Sequence, residues 1–403
     1  LGSNASDNFE VFSLRSIDSC GNASSRSVIH NSMNIISNIN ICDLSINLKW
    51  NDYINFNNDL SHYNIILNTT DDQGNIDLDT IRVNQELDFQ LNNIKEGYNY
   101  YYYIAAYNGD SSLVAISDQV NYFITLPSVP DYNYIDYVSV VDNDIEINCL
   151  VDNNAIIDRY LIFRSLEDDL LFDIIADVPF NNSSIINYID KTANPNDYYY
   201  QYQIYPVDTC DNILNAPSVY LTINDTSYGQ TMHLLVETNL DFANNPVYLD
   251  QFTNTITFNE YEKWLGGVSE YQIFRSINGE DFDVLPIYVF DRVNFPYEDL
   301  KFIDIVSDFG LGNGRFCYYV KAIEGSSNPY GSVSEGSYSN ISCISQTPTL
   351  FVPTSFTPNG DEHNEIFKPI TNFVSEVGYN FSIFSRSGIK IFSTNNPLKG
   401  WDG

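Results

Sequence analysis

Carboxylates are the most abundant reactive groups in this chain, and adjacent ones such as Glu167-Asp168-Asp169 and Glu280-Asp281 are the residue types a glycosidase uses as acid and nucleophile. That chemistry needs two carboxyl groups held ~5 to 9 Å apart in a cleft. These groups fall instead in polar loops between strand-like runs, where solvated turn residues account for them. The four histidines, His30, His62, His233 and His363, stand in separate stretches. None has a second His or Cys at metal-ligand spacing, so surface positions are expected. No Gly-x-Ser-x-Gly elbow, phosphate loop, Gly-x-Gly-x-x-Gly turn or His-Glu-x-x-His pair occurs, and no enzymatic activity is expected. Two stretches, Asp71-Asp72-Gln73-Gly74-Asn75-Ile76-Asp77 and Asn359-Gly360-Asp361-Glu362, offer oxygen ligands near a glycine, as a calcium loop requires. Neither has EF-hand spacing, and both also read as Asn/Asp/Gly turns. No cofactor is therefore expected, with calcium the one candidate.

The elements that would position these groups are strands. Tyr 31 and Phe 25, with many Ile and Val and only Met 2, favour a pleated surface, and 403 residues exceed one comfortable core. Lys+Arg 18 against Asp+Glu 53 gives a net charge of −35, which repels phosphate backbones and anionic headgroups, so nucleic acid and direct membrane insertion are not expected. No run reaches the ~18 to 20 apolar residues of a spanning helix. The start at Leu1-Gly2-Ser3-Asn4, without Met or a leader pattern, leads us to expect further sequence upstream.

Self-similarity sets the architecture. Tyr63-Asn64-Ile65-Ile66, Tyr160-Leu161-Ile162-Phe163-Arg164-Ser165 and Tyr271-Gln272-Ile273-Phe274-Arg275-Ser276 are versions of one strand. They recur at roughly the 100-residue period of an immunoglobulin-like sandwich. A second alternating strand follows each: Tyr102-x-Ile104-x-Ala106, Tyr202-x-Ile204-x-Pro206 and Tyr318-x-Val320-x-Ala322. Tyr100, Tyr200 and Phe316, two residues earlier, resemble the tyrosine corner of such sandwiches, and Trp50 stands where fibronectin type III domains place a core Trp. The fold class is all-β: tandem immunoglobulin/fibronectin type III-like β-sandwiches followed by a partial β-sandwich module. The expected boundaries are 1–36 (end of a truncated sandwich), 37–126, 127–224, 225–347 and 348–403. Pro127-Ser128-Val129-Pro130 reads as a linker, and Asn224-Asp225-Thr226-Ser227 as the next seam.

Six cysteines without a Cys-x-x-Cys pair point to disulfides in an oxidising compartment. A hairpin centred near Tyr330 would place Cys317 opposite Cys343. Cys149 and Cys210 are expected to meet at one end of the second sandwich. Cys20 and Cys42 then pair by elimination, unless Cys20, the positional equivalent of Cys210, finds a partner upstream.

From Phe351 the text changes to Phe351-Val352-Pro353-Thr354-Ser355-Phe356-Thr357-Pro358-Asn359-Gly360-Asp361, then Tyr379-x-Phe381-x-Ile383-Phe384-x-Arg386-x-Gly388 and Gly400-Trp401-Asp402-Gly403. These motifs resemble the gliding motility-associated C-terminal domain, the type B sorting module of the type IX secretion system. Glu362, Glu365 and Ser387 stand where that family commonly has Gly, Asp and Trp. The resemblance nominates Phe356, Pro358, Asn359, Gly360, Asp361, Arg386, Gly388 and Trp401 as sorting-motif residues. It implies export across an outer membrane to the cell surface, with the secretion translocon and an accessory outer-membrane protein as partners.

Two functions follow. In the first, the chain is the stalk and secretion-signal region of a large surface protein, adhesin-like or gliding-associated, with an extracellular surface or glycan as possible ligand. In the second, the repeats are accessory modules of a secreted hydrolase whose catalytic domain lies upstream. Deletion from Phe351 onward is expected to leave the sandwiches folded, each over its own core.

Overall fold

The alternating runs pair into antiparallel sheets in the computed structural model, which describes residues 8–403 except 57–58, 168, 170, 215–227, 239–251, 297–298 and 331–335. The expected seam at 224–227 lies outside the described residues. The chain divides into two units. The first is Leu1–Ser128 with Asp208–Asn212, and the second is Val129–Val207 with Ile213–Gly403. Among the described residues the single helical turn is Ser307–Phe309.

In the first unit, strands Ile35–Asn40, Ser45–Trp50 and Asp88–Asn92 form one sheet. It faces a second in the order Val120–Phe123, Asn99–Asn108, Leu60–Thr70, Ile76–Val83, with the short strand Val114–Ile116 also paired to Asn99–Asn108. This three-against-four arrangement is that of a fibronectin type III-like sandwich. Period-2 alternation aims Ile46, Leu48 and Trp50 at Tyr63, Ile65, Tyr102 and Ile104, and Trp50 meets Tyr63 edge-on at 5.6 Å. Met33 and Ile35 already belong to this core, so the sandwich begins slightly before residue 37. Ahead of it Val11–Phe12 pairs with His30–Asn31 in a hairpin whose side chains are largely exposed.

The second unit holds two more sandwiches. Strands Asn133–Val141, Asp144–Val151 and Ile185–Asp190 face the sheet Asp173–Pro179, Arg159–Leu166, Tyr200–Val207, Tyr228–Gln230. Then Leu234–Thr238, Thr253–Phe258 and Lys301–Ile305 face Tyr288–Asp291, Val268–Ile277, Arg315–Glu324 and the split last strand Ser337–Tyr338 and Ser342–Ser345. The corner tyrosines behave as such: the Tyr100 hydroxyl accepts the Lys95 N–H and the Tyr200 hydroxyl the Asn194 N–H, both at 2.9 Å. Phe316 has no hydroxyl and is instead a buried core ring.

One difference among the repeats is coupled. Four residues after Tyr160 and Tyr271 stand Arg164 and Arg275, whose guanidinium groups contact Asp190 (2.8 Å) and Asp304 (2.9 Å) under the sandwich end. Tyr202 and Tyr318 donate to the same carboxylates at 2.9 and 2.8 Å. In the first sandwich the equivalent positions are Leu67 and Leu91, both packed in the core. Burial works against ionising Asp190, but hydrogen bonds from Thr192, Arg164 and Tyr202 outweigh it and hold the carboxyl below the usual range. A buried ion pair is typically neutral against an apolar replacement, whereas losing one partner strands the other charge.

The second and third sandwiches are joined by a buried polar seam. A bulge between Ile135 and Tyr137 takes Asp136 out of register, and its carbonyl accepts the Trp264 indole N–H. Val138 N–H donates to the Tyr261 hydroxyl (2.9 Å), the Val138 carbonyl accepts from Ser337 (2.6 Å), and Tyr338 N–H donates to Ser139 Oγ (3.0 Å). Tyr134, from the second sandwich, lies fully buried in the core of the third.

The cysteines correct part of the sequence reading. Cys317 and Cys343 are cross-strand neighbours and are bonded, as expected. Cys210 bonds Cys42, not Cys149. Cys149 is an interior residue of its strand, between Ile135 and Ile186, facing the core, while Cys210 sits on the Asp208–Asn212 loop that groups with the first unit. Cys20 is therefore not joined to Cys42; it is free and exposed, and Cys149 is free and buried, its thiol pushed up by burial.

Two outcomes are expected. Alkylation of the native chain should label Cys20 alone, Cys149 should react only after unfolding, and non-reducing peptide maps should show 42–210 and 317–343 links. Separately, Asp190→Leu should cost about 3 kcal/mol, the low end for a broken buried pair because Arg164 keeps some solvent. Adding Arg164→Leu should restore the part due to the stranded guanidinium and leave the part due to the Tyr202 hydroxyl, which still lacks its acceptor. The Asp190 contribution should persist above about pH 4 and fade as pH drops through its depressed folded-state value, as read from denaturant melts.

Candidate functional site

The nominated residues lie in the terminal module. Strand Thr349–Phe351 pairs with Ile370–Asn372, and the next residue, Phe373, turns inward at φ 57°. A bulky side chain in the left-handed region is strained and persists only where its surroundings hold it. Here its N–H donates to the Gly310 carbonyl (2.6 Å), and its ring meets Phe252 at 4.9 Å and Phe316 at 6.0 Å inside the third sandwich. At 1% exposure Phe373 is part of that sandwich's core. This overturns the expectation that a deletion from Phe351 leaves every sandwich intact, because the deletion would empty a ring-sized hole in the third.

Phe356 and Trp401 are brought together. The Phe356 ring lies 5.4 Å from Trp401 and 5.5 Å from Phe367. Phe367 and Trp401 are locked by reciprocal backbone hydrogen bonds of 2.8 and 2.9 Å. The row continues from Phe367 to Phe381 and from Phe381 to Phe392. Gly400 lies at the tightest approach: a Cβ there would stand 2.5 Å from Ile366 Cγ2 and 2.8 Å from the Phe367 carbonyl. Pro358 packs near Gly403, at the foot of this cluster. Arg386 and Gly388 belong elsewhere, in the exposed turn between Phe381–Phe384 and Lys390–Thr394, where Gly388 N–H donates to the Ser385 carbonyl and φ is 81°. Phe367 and Phe373 were not singled out by sequence. Phe367 shows no strand-like alternation, and Phe373 acts outside its own module.

Asn359, Gly360 and Asp361 form an exposed loop that closes on itself. Asp361 Oδ1 accepts the His363 N–H (2.9 Å) and Oδ2 the Asn359 amide (3.0 Å), while Asp361 N–H donates to Glu365 (2.8 Å). The His363 N–H, with the Asn359 amide, holds the Asp361 carboxyl below the usual range. The other calcium candidate is built alike, with Asp71 accepting from Gln73, from the Asn75 N–H and from the Asn75 amide. Both carboxylates are committed to their own turns. Among the described residues no group of three or more His, Cys, Asp or Glu could hold a metal.

The other reactive residues are scattered. Glu167 and Asp169 sit in a turn after Leu166, with Asp168 outside the described residues, and Glu280 closes a turn on Ile277. His62, expected on the surface, is buried, stacks on Tyr107 at 5.1 Å, and is made harder to protonate by burial.

No protein-family model and no curated protein matches the chain. Among solved structures it is similar to the FN1–FN3 domains of chicken CNTN1, at 12% identity, with 77% of this chain and 97% of that chain covered and a TM-score of 0.23.

Gly400→Val should disrupt the module more than Gly388→Val. A Cβ at the first clashes with backbone, whereas a Cβ at the second meets no atom within 4 Å. The cost there is the strain of a left-handed angle, about 1 to 2 kcal/mol for an ordinary residue and more for a β-branched one. Hydrogen exchange at the Phe367 and Trp401 amides should rise in Gly400→Val and stay near wild type in Gly388→Val.

Proposed function

We propose that this chain is the stalk and secretion-signal region of a surface protein exported by a type IX-like apparatus, with residues 348–403 read by the outer-membrane machinery. The two disulfides belong to a protein of an oxidising, extracellular-type compartment. The observation that carries the finer reading is the ordered motif set from Phe351 to Gly403, in which Phe356 and Trp401, about 45 residues apart in sequence, stand side by side. A motif whose distant members form one folded cluster offers a surface that exists only in the folded chain. The repeats supply spacing and carry no reaction in this reading.

Truncation after Ser375 keeps Phe373 and the third sandwich intact while removing Trp401, Arg386 and Gly388. In a host with the secretion apparatus, the truncated protein should accumulate in the periplasm, with its sandwiches resistant to protease. Normal display of the truncated protein at the surface would remove the sorting role.

A further inference from the structure

The first sandwich carries a cleft that no role above uses. Its volume is about 560 Å³, and it is lined by the 28–30 segment, the loop 53–56 after strand Ser45–Trp50, and the hairpin at Leu113 and Val114. Loops at one end of such a sandwich are the positions that serve as recognition loops in immunoglobulin domains. His30, Tyr53 and Phe56 form one wall: Tyr53 lies 6.1 Å from the His30 ring and 4.3 Å from Phe56, and its hydroxyl contacts His30 Nδ1 at 3.3 Å. The Asn55 amide donates to the Ile29 carbonyl (2.6 Å), leaving Oδ1 as an acceptor. Leu113 and Val114, about half exposed, form the opposite wall.

The cleft is preformed. Tyr53 N–H donates to the Tyr63 hydroxyl, Ile54 N–H to Asn31 Oδ1, and the Asn31 amide to the Asp52 carbonyl. Leu113 N–H is held by Asn108 Oδ1. A site fixed before binding avoids the ordering cost that a mobile loop would carry.

We propose that this cleft binds an uncharged sugar ring of a neutral polysaccharide. Among the described residues that line it there is no Asp, Glu, Lys or Arg, and a chain of net charge −35 repels anionic polymers. A purely apolar ligand, such as an aliphatic peptide side chain, would desolvate Asn55 Oδ1 and whatever hydrogen-bonding capacity the mutually bonded Tyr53 hydroxyl and His30 Nδ1 do not use on each other, without giving either a partner. Each such loss costs about 1–3 kcal/mol. A pyranose offers both kinds of contact, with C–H faces for the Tyr53 and Phe56 rings and hydroxyls for the polar atoms between them. The inference goes beyond the stalk role and does not rest on the export route.

Isothermal titration of the purified full chain with cello-, xylo-, manno- and chitohexaose tests it, with polygalacturonate and an acetylated apolar peptide as competitors. At least one neutral hexasaccharide should bind with Kd below about 1 mM. Phe56→Ala should weaken it about tenfold or more. Because Phe56 also touches the core, Val114→Lys on the exposed wall serves as the second variant: it should weaken binding comparably with an unchanged melting curve. Saturation by none of the four sugars at about 10 mM, affinity unchanged in Val114→Lys, or displacement by the peptide alone would each overturn the assignment.

Discussion

Six tyrosines organise this chain: Tyr63, Tyr160 and Tyr271 on one strand of each sandwich and Tyr102, Tyr202 and Tyr318 on its neighbour, all at 0% exposure. A buried ring contributes a large apolar area but brings a hydroxyl that needs a partner, so its placement dictates more than its own packing. The Tyr63 hydroxyl takes the Tyr53 N–H and donates to Asp52. The Tyr271 hydroxyl takes the Tyr261 N–H. In the first and third sandwiches a core residue thus fixes the loop that follows the second strand, whereas the Tyr160 hydroxyl of the second makes no such bond. In the first sandwich that loop carries Tyr53 and Phe56 of the cleft, and in the third it carries Tyr261 and Trp264 of the seam. One interaction inside the core thus positions two different surfaces.

The repeats also show two solutions to one burial problem. Below Tyr202 and Tyr318 lies a carboxylate with its arginine, while beside Tyr102 lies Leu67, with Leu91 in the facing sheet. Both ends of the exchange changed together, as the energetics require, since a lone buried charge costs far more than either matched state. The charged version also supplies hydroxyl partners: Tyr318 is held by Asp304 and by the Asn254 amide at 2.7 Å. The seam between the second and third sandwiches follows the same rule, since its buried backbone groups at Asp136 and Val138 meet indole, phenol and hydroxyl partners. Such a seam holds two sandwiches as one body where a typical linker would leave them free.

What could be read from the sequence was what repeats locally. Period-2 alternation located the strands bearing the six tyrosines, and the antiparallel register around Tyr330 placed Cys317 opposite Cys343, because a hairpin fixes pairing over a short span. The Cys42–Cys210 bond was not legible: it spans 168 residues and joins turns of different repeats, where neither hairpin register nor strand order fixes a pairing. Arg164 and Arg275 were visible as part of a repeated Phe-Arg-Ser strand, but a lone arginine on an alternating strand gives no hint that a carboxylate faces it from the other sheet. In the terminal module the residues joined at Phe356 and Trp401 were all in the motif, yet the ring between them, Phe367, was not.

Phe373 ties the terminal module to the repeats more closely than a linker reading allows. Its ring completes the third core against Phe252 and Phe316, and the strained angle that delivers it is held by the Gly310 carbonyl. Strain of this kind is maintained only while the surrounding packing is intact. If the third sandwich opens, Phe373 loses its site, and the Thr349–Phe351 and Ile370–Asn372 pair that leads into it loses its anchor. Under the proposed role, the surface read for export would then be presented in its native form only by a chain whose last sandwich has folded, because the same side chain closes the core and seats the module.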